Sequence, residues 1–555
     1  MKSTIFVFMF PKKKILFFAL ILSLIFAFRQ ADDYFEISKN LEIFSAVYKT
    51  VNSDYVDEVK PGDLMKKGID AMLASLDPYT NFYTESQAED AMIRQSGEYG
   101  GVGCRSRKIG EYIHIIAVYK GLAADKAGMR IGDKILEING KSFIGKTDEE
   151  MGEGLKGAPG TKASVTIDRQ GQTMVLEIVR EEIKIKNVTY SGQINAQTGY
   201  IRLDHFMMGA ASEVKEALLK LKSAGSTRIV LDLRDNGGGL LHEAVNIVNL
   251  FVPMDEMVVV SKGRAKEAYR EYKTLDPPVD TQIPLVVLVN KNSASASEIV
   301  CGAIQDLDRG VVVGRNTFGK GLVQNVKPLV YRTQMKVTIA KYYIPSGRCI
   351  QLLDYSNRNN DGAALAVADS LRKKFRTRNG RTVLDGGGVR PDLITIQPEP
   401  SNIAAVLEKS FLIHDFANQY RSKHEQIGDM KTFRVDEALF SEFRQFVTGK
   451  TFSALNASET ALKKLKETLQ TEQYMGSVNT EVQQLEASLQ KAKTAELNAN
   501  RDEISRMLRN EICRRYYYEE ALFVSAFESD PDILKAVDVL TNNMQYNQLL
   551  GKSEK

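Results

Sequence analysis

The stretch from Pro284 to Gln324, PLVVLVNKNSASASEIVCGAIQDLDRGVVVGRNTFGKGLVQ, decides the fold. Its residues 285–289 form a continuous apolar, β-branched run, which predicts a strand buried on both faces of its sheet. Polar residues follow, and then the S-x-x-E sequence from Ser295 to Glu298 has the form of a helical capping box ahead of apolar residues at helical spacing. We therefore predict that Ser295 lies at a strand-to-helix turn, on the N-terminus of the helix.

Ser295 is a candidate nucleophile, because the unpaired N–H groups and the dipole of a first helical turn favour negative charge nearby. Lys320, in the sequence F-G-K-G, is the candidate base, since burial lowers the pKa of a lysine and lets it accept the serine proton. Gln324 is placed to hold the amine. Taken singly, Ser295 is better explained as an ordinary helix cap, because capping boxes are common and catalytic serines are rare, and Lys320 could be a surface lysine in a glycine turn.

A second glycine-rich stretch, R-D-N-G-G-G over residues 234–239, follows a predicted buried strand, I-V-L-D-L over residues 229–233. Glycines let the backbone approach a ligand closely and point N–H groups outward, as an oxyanion hole requires. The lysine of a phosphate-binding G-x-x-x-x-G-K-S/T loop is missing from this stretch, so a nucleotide site is disfavoured. The pattern does not decide between Gly238 and Gly239 as the donor.

Residues 97–182 alternate short strands with glycine turns and resemble a PDZ domain. The resemblance is carried by a glycine loop, Y-G-G-V-G over residues 99–103, and by G-D-K-I-L-E-I-N-G over residues 132–140. In such a domain a peptide C-terminus adds as a strand to a sheet edge, and backbone N–H groups capture its carboxylate. The predicted peptide-binding residues are Gly100, Gly101, Val102 and Gly103. The alternative is that these glycines only form a tight turn.

S-A-S-A-S-E-I after a buried strand, F-G-K-G, and glutamine four residues after the lysine closely resemble the C-terminal processing peptidases, also called tail-specific proteases. The resemblance implies a catalytic dyad of Ser295 and Lys320, with Gln324 orienting the lysine. It also implies an oxyanion hole formed by Ala296 with Gly238 or Gly239. It covers residues 75–392 and says little about the remainder.

Composition and motif spacing disfavour several other classes of protein. The 74 basic and 70 acidic residues nearly cancel to a net charge of +4, which gives no indication of a nucleic-acid partner. The four cysteines are widely separated and the five histidines follow no ligand spacing, so neither a metal site nor any other cofactor is predicted. A serine-histidine-aspartate triad likewise lacks a histidine with a supporting motif.

The N-terminal residues have the pattern of an export signal, with three lysines at 12–14 followed by an uncharged apolar run over residues 15–28. This run is shorter than the roughly 20 residues of a full membrane span. No clear cleavage site follows it, so a cleaved signal peptide and a membrane anchor are both open. We expect an exported protein of the periplasm or cell envelope, anchored in the inner membrane if the signal stays uncleaved.

The predicted fold class is multidomain α/β. Its parts are a signal peptide or anchor at 1–31, an N-terminal helical segment at 32–95, a β-rich α+β PDZ domain at 96–182, an α/β protease core with a mixed sheet at 183–400, and an all-α C-terminal domain at 401–555.

The hypothesis is an ATP-independent serine endopeptidase that recognises free, nonpolar substrate C-termini through its PDZ domain. The alternative is a catalytically inactive PDZ adaptor on the same scaffold. The C-terminal helices are candidates for homodimer formation or for docking an adaptor protein.

Overall fold

The computed structural model describes residues 34–88, 96–448, 450 and 457–552. The described residues form two compact units, one within 1–83 and 326–337 and the other within 84–325 and 338–555. The predicted signal over residues 15–28 lies outside the described residues. Among the residues that are described, no helix is long and apolar enough to cross a membrane.

The smaller unit is built from two helices and a strand pairing. The helices cover residues 34–54 and Pro61–Ala74, and the short strand Asn81–Tyr83 pairs antiparallel with residues 334–336. The turn before that strand is closed by Asp77, whose carboxylate accepts hydrogen bonds from the N–H groups of Tyr79 and Thr80, both at 2.8 Å. The helical pattern predicted for this segment is therefore present.

The PDZ module contains one antiparallel sheet around a compact apolar core. Its strands in spatial order are Cys104–Ile109, Tyr112–Val118, Lys134–Ile138, Lys162–Arg169 and Gln172–Val179, with Lys141–Ser142 beside the third. A separate pair, Glu98–Gly101 with Glu181–Lys184, brings the two ends of the module together. The helices Ala123–Lys126 and Asp148–Leu155 complete it.

The α/β core contains a six-stranded sheet. Its strands in spatial order are Val188–Asn195, Thr198–Leu203, Arg228–Asp232, Leu285–Val289, Val311–Gly314 and Leu393–Ile394. The first pair is antiparallel and the others are parallel, which makes the sheet mixed as predicted. Because these strands are parallel, the loops after Asp232, Val289 and Gly314 lie at the same edge of the sheet. Active sites of parallel sheets form at this carboxyl edge.

Leu285–Val289 is buried on both faces, as its sequence predicts. Residues 285, 287 and 289 pack with the helices Ala210–Ser223, Leu241–Asn249 and Ala296–Asp306. Residues 286 and 288 face the other side, where the covering elements are the helices Pro531–Thr541 and Asn543–Leu549 near the end of the chain. The C-terminal region therefore supplies one complete layer of the α/β core.

Further strands lie outside the six-stranded sheet. They are Met257–Lys262, Arg270–Lys273, Leu322–Pro328, Gln334–Tyr343, Leu353–Arg358, Ala364–Ala366, Lys374–Arg376 and Thr382–Leu384. The last residues of Gln334–Tyr343 pair antiparallel with Met257–Lys262.

The C-terminal region is helical. Before the two covering helices it contains Asn402–Lys409, Leu412–Lys423, Glu437–Thr448, Ala457–Thr471, Met475–Ala499, Arg501–Tyr517 and Glu520–Ala526. Several of these share an apolar core that includes Leu407, Phe416, Phe443 and Leu508. The predicted fold class, an N-terminal helical segment, a PDZ domain, an α/β core with a mixed sheet and a helical C-terminal region, is confirmed.

A buried ion cluster joins the sheet to the covering helices. The guanidinium of Arg234 contacts Asp232 (2.6 Å), Asp530 (2.7 Å) and Asp532 (2.9 Å), and the Tyr200 hydroxyl donates to Asp232 (2.6 Å). Burial by itself would raise the pKa of Asp232, but the charges of Arg234 and its neighbour Arg202 hold that pKa well below its usual range. The carboxylate therefore stays ionised inside the protein.

Replacing Asp532 with alanine should destabilise the larger unit by about 3–5 kcal/mol, because Arg234 would remain buried with less compensating charge. The free energy of unfolding in urea measures this loss. Asp538→Ala is the matched control on the same helix, since Asp538 is exposed and its carboxylate pairs with half-buried Lys535. Its effect should stay within about 0.5 kcal/mol. Equal effects of the two substitutions would contradict a stabilising role for the cluster.

Candidate active site

Ser295 lies on the predicted strand-to-helix turn. The strand ends at Val289, the helix Ala296–Asp306 begins directly after Ser295, and Ser295 itself has φ 55° and ψ −112°. This positive φ is costly for a residue with a side chain, by roughly 1–3 kcal/mol, and such strain persists only where the surroundings enforce it. The turn presents Ser295 half-buried at the first turn of the helix, where N–H groups lack intrahelical partners.

The carboxylate of Glu298 joins the serine turn to the lysine loop. Its Oε2 atom accepts hydrogen bonds from the backbone N–H groups of Ser295 and Lys320, both at 2.8 Å. Its Oε1 atom accepts from the Gly319 N–H (2.7 Å) and from the Thr317 hydroxyl (2.5 Å). Glu298 is fully buried, so this carboxylate fixes both backbone segments in one place.

Burial raises the pKa of Glu298 above its ordinary value, while its four hydrogen-bond donors oppose that rise. Three of the donors are backbone N–H groups, which can only donate. A protonated carboxyl would have to turn its own O–H toward them, so the arrangement matches the ionised form.

The Tyr342 hydroxyl makes a second connection between the same two residues. It donates to the Lys320 carbonyl oxygen at 2.5 Å and lies 3.1 Å from the Ser295 carbonyl oxygen. Tyr342 is buried at the end of Gln334–Tyr343. The backbones of Ser295 and Lys320 are thus held together from the carboxylate side and from the hydroxyl side.

The glycine-rich loop packs directly against the serine turn. The Asn236 carbonyl oxygen accepts from the Ala294 N–H (3.0 Å) and from the Ser297 hydroxyl (2.9 Å). A Cβ atom on Gly238 would lie 2.8 Å from the Ser295 Cβ atom and 2.9 Å from the Ala296 nitrogen, so only glycine fits there. Of the sequence-predicted oxyanion residues, Gly238 and Ala296 are therefore adjacent to Ser295, and Gly239 follows Gly238 in the chain.

The two candidate glycines differ in their hydrogen bonding. The Gly238 N–H donates to the side-chain Oδ1 atom of Asn236, two residues earlier, at 2.9 Å. The Gly239 N–H makes no hydrogen bond to any residue that the structure describes, and Gly239 is exposed. Gly239 thus retains the N–H group that an incoming oxygen atom could use.

Lys320 is half-buried and directly follows Gly319 in the chain. Phe318, two residues before the lysine, is exposed. Gln324 lies two residues into Leu322–Pro328, where its side-chain nitrogen donates to the Thr338 hydroxyl at 3.2 Å. Gln324 is thereby oriented by the neighbouring strand. Within the described residues, no group of three or more His, Cys, Asp or Glu side chains is arranged to hold a metal ion.

A groove of about 180 Å³ lies beside the predicted peptide-binding loop of the PDZ module. Its lining residues are Tyr99, Gly101, Val102, Gly103, Cys104, Ser106, Met151, Gly152, Leu155 and Lys156. The groove thus runs between the strand Cys104–Ile109 and the helix Asp148–Leu155. Of the four predicted residues, Gly100 lies outside the lining and hydrogen-bonds through its carbonyl oxygen to the Gly157 N–H (3.1 Å).

The loop orients its N–H groups toward this groove. The carbonyl oxygens of Val102 and Gly103 accept hydrogen bonds from Ala124 (2.7 Å) and Tyr119 (3.1 Å) within the module. A trans peptide plane points its N–H opposite to its carbonyl. The N–H groups of Gly103 and Cys104, which share those planes, therefore point away from the module's interior and suit the capture of a carboxylate.

These elements define a multidomain PDZ protein whose α/β core presents a serine on a strand-to-helix turn. Three family models match separate parts of the chain: a PDZ domain at residues 114–169, peptidase family S41 at 197–354, and the C-terminal helical domain of a probable PDZ-protease at 403–540. The part of the chain that follows the PDZ module, residues 197–354, is thus similar to peptidase family S41.

Curated relatives are similar to the chain over its central part. A probable CtpA-like serine protease of Staphylococcus aureus (strain bovine RF122 / ET3-1) is 35% identical over 320 residues, which are 56% of this chain and 62% of the relative. One from Staphylococcus saprophyticus is 35% identical over 306 residues, 55% of this chain and 62% of the relative. The matches therefore span less than two thirds of these relatives.

Among solved structures, a photosystem II D1 C-terminal processing protease is similar at 26% identity, with a TM-score of 0.35. The match covers 64% of this chain and 94% of that one. A putative S41 protease from Bacteroides fragilis matches at 16% identity and a TM-score of 0.38, covering 62% of this chain and 84% of that one.

Two residues of the site have roles that the sequence pattern did not indicate. The pattern assigned Glu298 only a capping role, and the hydrogen bond to the Ser295 N–H confirms that part. Its hydrogen bonds to the lysine loop, and the position of the Tyr342 hydroxyl, depend on segments that are distant in sequence. A glutamate at the third position of the predicted serine helix was the only signal in the sequence.

Glu298→Gln should lower turnover of an unfolded model protein by about 100-fold, since small displacements of reacting groups cost rates of this order. An amide nitrogen would face N–H donors that it cannot accept from, and the Ser295 and Lys320 segments would move apart. The steady-state rate measures this effect.

The matched control is Glu213→Gln. Glu213 also accepts two hydrogen bonds, from the Asn187 side chain (2.8 Å) and the Val188 N–H (2.9 Å), but on the helix Ala210–Ser223. This variant should lose stability of about 1–3 kcal/mol and retain its rate per folded molecule. Equal rate losses in the two variants would show that Glu298 acts only through general stability.

Proposed function

We propose that the chain is an ATP-independent serine endopeptidase that cleaves polypeptides with Ser295 as nucleophile and Lys320 as base. The observation that carries this proposal is the Glu298 carboxylate, which binds the backbone N–H groups of both residues at 2.8 Å. Residues that merely capped a helix and closed a turn would not need this shared, fully buried carboxylate, since the burial of a charge is costly.

The chemistry follows from the roles of the two side chains. Lys320, as the neutral amine, takes the proton of the Ser295 hydroxyl while Oγ attacks the scissile carbonyl carbon. The resulting ammonium then gives that proton to the leaving amine as the peptide bond breaks. Water, deprotonated by the same amine, attacks the acyl-enzyme and restores the serine. Gln324, fixed by the Thr338 hydroxyl, is the proposed positioning residue for the amine.

The oxyanion of each tetrahedral intermediate is stabilised by two backbone N–H groups. Ala296 supplies one from the first turn of its helix, where such groups have no intrahelical partner. Gly239 is favoured for the other, because the Gly238 N–H already donates to Asn236 Oδ1. Donors fixed in advance act on the charge that develops in the transition state, which makes this a large contribution to catalysis.

The PDZ groove selects the substrate by its free C-terminus. The N–H groups of Gly103 and Cys104 point toward the groove and receive the terminal carboxylate. Val102, Met151 and Leu155 line an apolar surface for the last side chain. A nonpolar tail is thereby held while a segment farther along the polypeptide is cleaved at Ser295.

Export and partners complete the proposal. The lysines at 12–14 and the apolar run over residues 15–28 direct the chain to the periplasm or cell envelope, with inner-membrane anchoring if that run stays attached. No cofactor is part of the mechanism. The C-terminal helices are proposed for homodimer formation or for binding an adaptor protein.

Ser295→Ala and Lys320→Ala should each lower turnover by at least about 1,000-fold, and the double variant should lose little more, because residues that act as one unit are not additive. Lys320→Arg should be equally inactive, since a guanidinium stays protonated at accessible pH. Cleavage of an unfolded model protein measures all four variants. Lys291→Ala, an exposed lysine close to the turn in sequence, is the control and should keep full activity. Independent, multiplying losses would contradict the dyad.

A substrate with a free apolar C-terminus should be cleaved with a lower KM than the same substrate with an amidated C-terminus. The amide lacks the charge that the loop N–H groups bind, and a hydrogen bond to a charged group contributes about 1.5–3 kcal/mol. The expected ratio is therefore about 10-fold or more. Equal KM values would show that tail recognition does not use the carboxylate.

A further inference from the structure

The edge strand of the PDZ groove allows only a short peptide to be added. Asp148 accepts a hydrogen bond from the Lys108 N–H at 2.7 Å, so the backbone N–H of Lys108 faces the groove and is occupied. Backbone groups of a strand alternate in direction, so those of Cys104 and Ser106 face the same open edge. An added strand can pair with these two residues, but not with Lys108, whose N–H group is already bound by Asp148.

The side chains of this strand divide between two faces. Those of Cys104 and Ser106 line the groove with Met151. Arg105 and Arg107 alternate with them and point to the opposite face, where both are exposed. An added strand alternates in the same way, so its last side chain enters the groove and the second and fourth from the end lie beside the two arginines.

Neither guanidinium forms a salt bridge with any residue that the structure describes. Arg107 lies over the ring of Phe411, with 5.9 Å from its Cζ atom to the ring centroid. Burial raises the pKa of the Tyr119 hydroxyl; the charge of Arg105 opposes this rise, and the carboxylate of Glu519 adds to it. Glu519 is already paired with Arg514 (2.8 Å). Two positive charges therefore flank the open edge, and neither is paired with a carboxylate among the described residues.

Resting on the proposed recognition of free C-termini, we infer that the PDZ groove selects tails with a nonpolar last residue and acidic residues at the second and fourth positions from the end. Arg105 and Arg107 bind the acidic side chains of the tail, and the groove binds its last side chain. The substrate class is thus an acidic, alternating C-terminal tail.

The test is the binding of labelled peptides to the full chain carrying Ser295→Ala, measured by fluorescence anisotropy. One peptide has an uncharged apolar tail, one has glutamates at the second and fourth positions, and one has them at the third and fifth. The second and third peptides have equal net charge. We expect the second to bind about 3- to 10-fold more tightly than the others at low salt, with the advantage shrinking as salt is added.

Variants locate the effect. Arg105→Glu with Arg107→Glu should reverse the order, so that lysines at the second and fourth positions bind better than glutamates. Lys141→Glu with Lys162→Glu makes the same change in net charge at exposed residues elsewhere in the module and should preserve the order. Equal binding of the two glutamate peptides would overturn the inference. So would a reversed order of peptide affinities in the protein carrying Lys141→Glu and Lys162→Glu.

Amidated forms of the three peptides separate this inference from the function on which it rests. If the free-acid uncharged tail binds better than its amide and glutamates add nothing, tail recognition stands and the acidic preference is wrong. If amidated and free-acid tails bind equally, both are wrong.

Discussion

The proposed active site depends on one buried carboxylate. Glu298 is fully buried and accepts four hydrogen bonds, two of them from the backbones of Ser295 and Lys320. A charge without solvent is tolerated only when its lone pairs are satisfied, so each donor segment must stay in place for the carboxylate to remain there. The constraint is mutual, because the same hydrogen bonds hold the strained turn at Ser295 and the glycine-rich loop before Lys320.

A second constraint comes from the end of the chain. The strands around Leu285–Val289 are apolar on both faces, and helices within the α/β segment cover only one of them. Pro531–Thr541 covers the other and carries Asp532, which pairs with Arg234 at the start of the glycine-rich loop. The loop that packs against Ser295 is therefore anchored through Arg234 to residues about 300 positions later in the sequence. The helical C-terminal region supports the site as well as enclosing its own core.

Much of this architecture could be predicted because its signals are local. Five consecutive apolar residues ending at Val289, a capping box at Ser295 and three glycines after Asn236 each determine a short segment by sterics and hydrogen bonding. The PDZ module was equally predictable from its glycine turns. Its groove also includes Met151 and Leu155, which the pattern did not single out, because they reach the loop only through the packing of a helix on the strand Cys104–Ile109.

The sequence by itself determined the elements: a buried strand, a serine at a helix N-terminus, a lysine between glycines, and a PDZ module ahead of them. Only the tertiary structure decided which of these meet. It placed the Glu298 carboxylate between Ser295 and Lys320. The Gly238 N–H donates to Asn236, whereas that of Gly239 is left exposed. The last helices of the chain pack on the sheet. Local patterns follow from the conformations of neighbouring residues, whereas these contacts join residues far apart in the chain. They arise because buried polar groups must find partners and apolar sheet faces must be covered, wherever in the sequence the partners lie.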